Sequence, residues 1–292
     1  MRANPAEYEL LAPGTLQEVI ALLGKEPETW LPIAGGTDVM VQYAAGKLAA
    51  RKLVSIGGLR ELRKIETTPT EIRIGAGSTY TDIRNHPVIA EELPLLVRAA
   101  GCTGGIANQN RGTLGGNIAN ASPAGDSLPV LLAYDAELLL ASARGERRVL
   151  YRNFHTDYKK SLLAPGELIH TVCISRSFAG YFSYAKKVGA RDAQAISKVF
   201  LAALGRIAAG KITEIRLAVG SVAPIPLRLT QTENALKNKL IDSALVENCR
   251  KVLAQEIHPI DDIRSTAKYR TAVLGNLIGE FVNGLAAERT SS

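Results

Sequence analysis

The residues of this chain best suited to chemistry are glycine pairs flanked by hydroxyl and carboxylate side chains, and they lie in two segments. The first, Pro32-Ile33-Ala34-Gly35-Gly36-Thr37-Asp38-Val39, follows a short apolar run, Trp30 to Ala34, that reads as a strand. Paired glycines let the backbone turn through positive φ, and without Cβ atoms an anion can reach the exposed N–H groups. Thr37 adds a hydroxyl donor. A plain strand-ending turn explains the same residues, and taken alone the segment leaves that reading ahead. The second segment, Arg111 to Ser127, is dense in small residues and hydrogen-bonding side chains. Ordering it is costly unless its backbone polar groups find partners. A bound ligand rich in oxygens would supply them, and long loops inside compact domains are often functional. Both segments make physical sense as diphosphate cradles.

Other chemistries are excluded by direct search. The chain has no Gly-x-x-x-x-Gly-Lys-Ser/Thr run, no Gly-x-Ser-x-Gly elbow and no His-Glu-x-x-His pair. Gly75-Ala76-Gly77 begins like a dinucleotide fingerprint, but Tyr80 stands at the third glycine position. His86, His155, His170 and His258 are scattered without metal-ligand spacing. Cys102, Cys173 and Cys249 lie far apart, which argues against a disulfide scaffold or a local zinc or iron–sulfur motif. Nucleophilic and metal-hydrolytic enzymes are therefore disfavoured.

The elements that position these segments follow from periodicity. Thr15 and Glu18 have capping-box spacing, and the helix they start should end at Gly24. Strands are expected at 52–56, 71–74, 137–141, 149–151 and 168–174, with a helix at 92–100. Arg176 to Gly180 reads as a linker. Beyond it come strands at 181–188, 197–206 and 212–219, then helices at 242–256 and 265–286. Strands and helices mix irregularly, so the class is α+β.

The 292 residues amount to about two domains. Hydrophobic content of 46% with 22% charged excludes wholesale disorder. No apolar run is long enough to span a bilayer, and the N-terminus lacks a signal-peptide core, so a cytoplasmic protein without membrane insertion is expected. The net charge of +7 is spread in small groups and aromatics are only 5%, which speaks against nucleic acid as a partner.

Three stretches together, AGGTD (34–38), RGTLGGNIANASPAGDSLPVLL (111–132) and FSYAKKVGARDAQAISKV (182–199), resemble the FAD-binding medium subunit of the molybdenum hydroxylases. That family includes xanthine, carbon monoxide and nicotinate dehydrogenases. The resemblance implies an FAD-binding domain of the vanillyl-alcohol-oxidase type at 1–176, with two α+β subdomains at about 1–56 and 57–176. A smaller α+β C-terminal flavoprotein domain would occupy 177–292.

It also implies non-covalent FAD held by Ile33, Ala34, Gly35, Gly36, Thr37, Asp38 and Val39 on one side. Thr113, Leu114, Gly115, Gly116 and Asn117 would hold the other flank, with Thr103, Asp126, Ile169 and Lys186 as further contacts. A helix N-cap is the alternative role of Asp126. The loop from Gly189 to Ile196 would lie near the flavin ring, where Arg191 and Asp192 could tune its potential.

The implied function is an electron relay. A molybdenum-binding large subunit would oxidise the substrate, and an iron–sulfur small subunit would pass electrons to FAD in this chain. NAD or another acceptor would take them. No side chain here need be catalytic, and molybdenum cofactor and iron–sulfur clusters would sit only in partners. A free-standing FAD-dependent oxidoreductase is the competing expectation.

Overall fold

A computed structural model of the chain describes residues 4–288. The outermost ends of the two expected domains, 1–3 and 289–292, lie outside the described residues. The first lobe carries β1 (Glu9–Leu11), α1 (Leu16–Lys25), β2 (Trp30–Ile33), α2 (Val39–Ala44) and β3 (Lys52–Ser55). Its three strands run parallel in the order β1-β3-β2. Thr15 and Glu18 form the expected capping box, and α1 runs one residue past Gly24. Leu16, Val19 and Leu23, spaced to share one helix face, are buried with Trp30, Val54 and Leu62. Trp30 is the chain's one tryptophan, 6% exposed, with the Lys52 ammonium 5.1 Å from its ring centre.

The second lobe begins with β4 (Ile65–Thr67) and β5 (Glu71–Gly75). In β5, Ile72 and Ile74 are fully buried while Arg73 between them is exposed, as strand alternation requires. Six helices then intervene: α3 (Tyr80–Asn85), α4 (Pro87–Glu92), α5 (Pro94–Cys102), α6 (Ile106–Gln109), α7 (Leu114–Asn120) and α8 (Ser127–Ala133). After them come β6 (Glu137–Ser142), β7 (Gly145–Leu150), the small hairpin β8 (His155–Asp157) and β9 (Lys160–Ser161), and β10 (Leu168–Ser175). The resulting five-stranded antiparallel sheet has the order β4-β5-β10-β6-β7. A bulge at His170 interrupts the pairing of β10 with β6. The glycine-rich region is thus not one long loop, because α6, α7 and the start of α8 interrupt it.

The third lobe holds β11 (Phe182–Val188), β12 (Val199–Ala208), β13 (Lys211–Gly220) and β14 (Leu227–Arg228) in one antiparallel sheet. Helices α9 (Thr230–Leu236), α10 (Ser243–Glu256) and α11 (Ala267–Glu288) complete it. This sheet is buried on both faces. Phe200, Ala202 and Leu204 of β12 join the core of the second lobe, whereas Val199, Leu201 and Ala203 pack with Leu274, Phe281 and Val282 of α11. The expected linker at 176–180 is a packed 3-10 turn, with Phe178 buried and Arg176 paired to Glu92.

Candidate cofactor site

The first glycine turn leaves the end of β2, where Ile33 O accepts from Ile56 N at 2.9 Å. Gly36 has φ of +75°, a conformation that L side chains resist. Gly35 lies hard against the second segment: a Cβ there would fall 1.7 Å from the Arg111 carbonyl oxygen. A Cβ on Gly112 would in turn meet Thr37 Oγ1 at 3.4 Å. The fold therefore brings the two glycine segments into direct contact, 76 residues apart in sequence.

Beyond Gly35 the backbone is unusually open. None of the N–H groups of residues 35–39 has an acceptor among the described residues. α2 begins on the carbonyls instead, through Met40 N to Gly36 O at 2.9 Å, and Asp38 accepts from Gln42 Nε2 at 2.6 Å. Successive unpartnered N–H groups at a turn form a cradle for an anion. The turn fits a diphosphate.

The second segment behaves differently. Thr113 caps α7, its Oγ1 accepting from Gly116 N at 3.1 Å. Leu114 N donates to Ser78 O, Gly115 N to Ala76 O and Asn117 N to Thr113 O. The chain's own carbonyls thus supply partners that the sequence suggests a ligand would bring. Gly115 is needed for packing, since a Cβ would come 2.5 Å from that of Ala76. Gly116 is exposed, and a Cβ there would meet only the Thr113 hydroxyl. Asn117 accepts from Ser127 Oγ at 2.7 Å.

Asp126 occupies the N-cap position of α8 but makes no side-chain cap bond. Its carboxylate, 5% exposed as a residue, accepts from Lys187 Nζ at 2.6 Å and from Ser197 Oγ at 2.5 Å. Lys187 also donates to Cys102 O at 2.9 Å. Burial pushes the Asp126 carboxyl up from its ordinary value, against the pull of Lys187 and Ser197. Asp126 is neither a helix cap nor an open acceptor, but a buried hub. Beside it the Tyr80 hydroxyl is buried, with no hydrogen-bond partner among the described residues. Thr103, at the end of α5, turns its hydroxyl to Ala99 O at 2.8 Å.

Two expected contacts point elsewhere. Lys186 lies on the β11 face covered by α11 and is paired with Glu280 at 2.8 Å. Strand alternation sends Lys187, not Lys186, inward. Ile169 is a core residue of the five-stranded sheet, 4% exposed, which leaves little surface for a ligand. In the loop from Gly189 to Ile196, Gln194 N donates to Gly104 O at 3.3 Å and Arg191 to Gln194 O at 2.8 Å. Arg191 and Asp192 form no pair with each other. Among the described residues no group of three His, Cys, Asp or Glu side chains could hold a metal ion. No described helix is long and apolar enough to cross a membrane.

The open glycine turn is thus clamped by a second glycine segment, in an α+β chain of three lobes. Residues 6–176 match the model of the FAD binding domain in molybdopterin dehydrogenase, and 184–285 that of the CO dehydrogenase flavoprotein C-terminal domain. The chain belongs to the family of FAD-binding medium subunits of the molybdenum hydroxylases. It is 32% identical over 279 residues to the xanthine dehydrogenase FAD-binding subunit of Escherichia coli O157:H7, covering 94% of each chain. It is 30% identical to the glyceraldehyde dehydrogenase medium chain of Sulfolobus acidocaldarius, covering 92% of this chain and 95% of that one. The structure of a carbon monoxide dehydrogenase from Hydrogenophaga pseudoflava superposes with a TM-score of 0.92 at 27% identity, covering 98% of this chain and 99% of that one.

Proposed function

We propose that this chain is the electron-relaying subunit of a molybdenum-containing dehydrogenase, with an iron–sulfur small subunit and a molybdenum-binding large subunit as its partners. The observation that carries the reading is the run of free N–H groups at 35–39, held open where Gly35 packs on Arg111. Those groups hold the diphosphate of a non-covalent FAD. Thr113, Gly116 and Asn117 offer the facing wall, and Lys187 with Asp126 holds the third lobe against the second. Bound flavin supplies the capacity to take electrons singly and give them up in pairs, to NAD or another acceptor. The chain's own residues bind and orient it, and none needs to move a proton.

The relatives named above as medium chains and FAD-binding subunits support this assignment of partners. Affinity purification of the tagged chain from its native host tests it. Acid-released FAD, with molybdenum and iron co-purifying in fixed ratio to it, is the expected result. A yellow chain free of both metals and bleached directly by an organic substrate would overturn the relay in favour of a free-standing oxidoreductase.

A further inference from the structure

We propose that Arg111 is the counter-charge of the cofactor's diphosphate, a role that rests on placing the cofactor at the Gly35-Gly36 turn. The charges of the two glycine segments lead there. Residues 32–39 and 111–127 contain three charged side chains, Asp38, Arg111 and Asp126. Asp126 is already neutralised by Lys187. Asp38 has only the uncharged amide of Gln42 as partner. A doubly negative diphosphate on the N–H groups of 35–39 would add to the Asp38 charge, and Arg111 is the sole cation those segments offer against it.

Arg111 is also placed for the task. Its carbonyl abuts Gly35, its N donates to Asn108 O at 3.2 Å, and its Nε reaches Gly35 O at 3.4 Å. The root of the side chain is thus clamped at the turn while the residue itself stays exposed. Arg111 forms no ion pair with any described carboxylate, whereas Arg63, Arg73, Arg147, Arg148 and Arg176 all do. The next candidates are engaged elsewhere, Lys186 with Glu280 and Arg191 within its own loop. The planar fork of a guanidinium suits two phosphate oxygens.

The test titrates the full-length, flavin-stripped chain with FAD, following flavin fluorescence at low and high potassium chloride. Arg111→Ala should raise the FAD Kd by about 10- to 100-fold at low salt, the range of a lost charge-assisted contact. It should also flatten the salt dependence, and Arg111→Lys should restore that dependence with only part of the affinity. The flavin-free Arg111→Ala chain should melt like the wild type, because the backbone against Gly35 is unchanged. A Kd within about twofold of wild type, or an unaltered salt slope, would overturn the proposal. So would a weakened variant that also melts early and is not improved by lysine. Absence of FAD binding by the wild-type chain would instead remove the cofactor site itself.

Discussion

Lys187 of β11 and Asp126 at the start of α8 form an ion pair of 2.6 Å whose side chains are 2% and 6% exposed, bridging the second and third lobes. Removing one partner strands the other charge in the interior. Lys187→Ala should therefore cost about 3–5 kcal/mol in urea unfolding. Replacing both, as Lys187→Met with Asp126→Leu, should recover much of that loss. Lys186→Ala, which breaks only a half-exposed pair with Glu280, should cost under about 1 kcal/mol.

The two glycines of α7 should separate packing from binding. Gly115→Ala forces a methyl into Ala76 and should lower the melting temperature with or without flavin. Gly116→Ala disturbs only the Thr113 cap, worth about 1 kcal/mol, and should leave the flavin-free chain folded. Its effect should appear as reduced flavin content in the purified protein.

Gly35→Ala is expected to be the most damaging change at the first turn. Its methyl would overlap the Arg111 carbonyl, so the two glycine segments must part. Loss of soluble protein, or of flavin from whatever remains soluble, is the expected outcome. Gly36→Ala, strained by its φ of +75° but opposed only by the flexible Met40 side chain, should cost about 1 kcal/mol.

His155 makes acid stability predictable. Burial holds its imidazole down at about 4 from an ordinary 6.5, with Tyr151 Oη 3.1 Å from Nε2. Between those values the unfolded chain binds a proton that the fold refuses, so stability falls as pH drops through that window. The loss by pH 4 should reach at most about 3 kcal/mol. Above about pH 8 His155 contributes almost no slope. Denaturant titrations of wild type and His155→Gln across this range check it: the variant should lose most of the dependence.

Much of the architecture is legible where local chemistry and burial agree. The Thr15 box, the alternation in residues 71–74 and the helical spacing near the C-terminus all act over a few residues, and each became the expected element. The glycine-rich region is less legible. Its helices are short, and α7 starts on carbonyls of Ser78 and Ala76 that only the folded β5–α3 turn presents. Asp126 is expected as a cofactor contact with a helix cap as the alternative, and residue type cannot reveal that two distant donors, Lys187 and Ser197, capture its oxygens. The choice between Lys186 and Lys187 turns on a single step of strand register, which adjacent identical residues conceal. Arg111 is readable only as part of a motif, since its isolation from described carboxylates is a property of the fold.

Trp30 has an experimental consequence. As the chain's one indole, on β2 and buried in one cluster with α1, Val54, Leu62 and Leu168, it reports on the first lobe and its seam with the second, whereas circular dichroism averages over all three. A mismatch between the two optical melting curves would therefore time the loosening of the lobe that carries the Gly35-Gly36 turn, without any label being introduced.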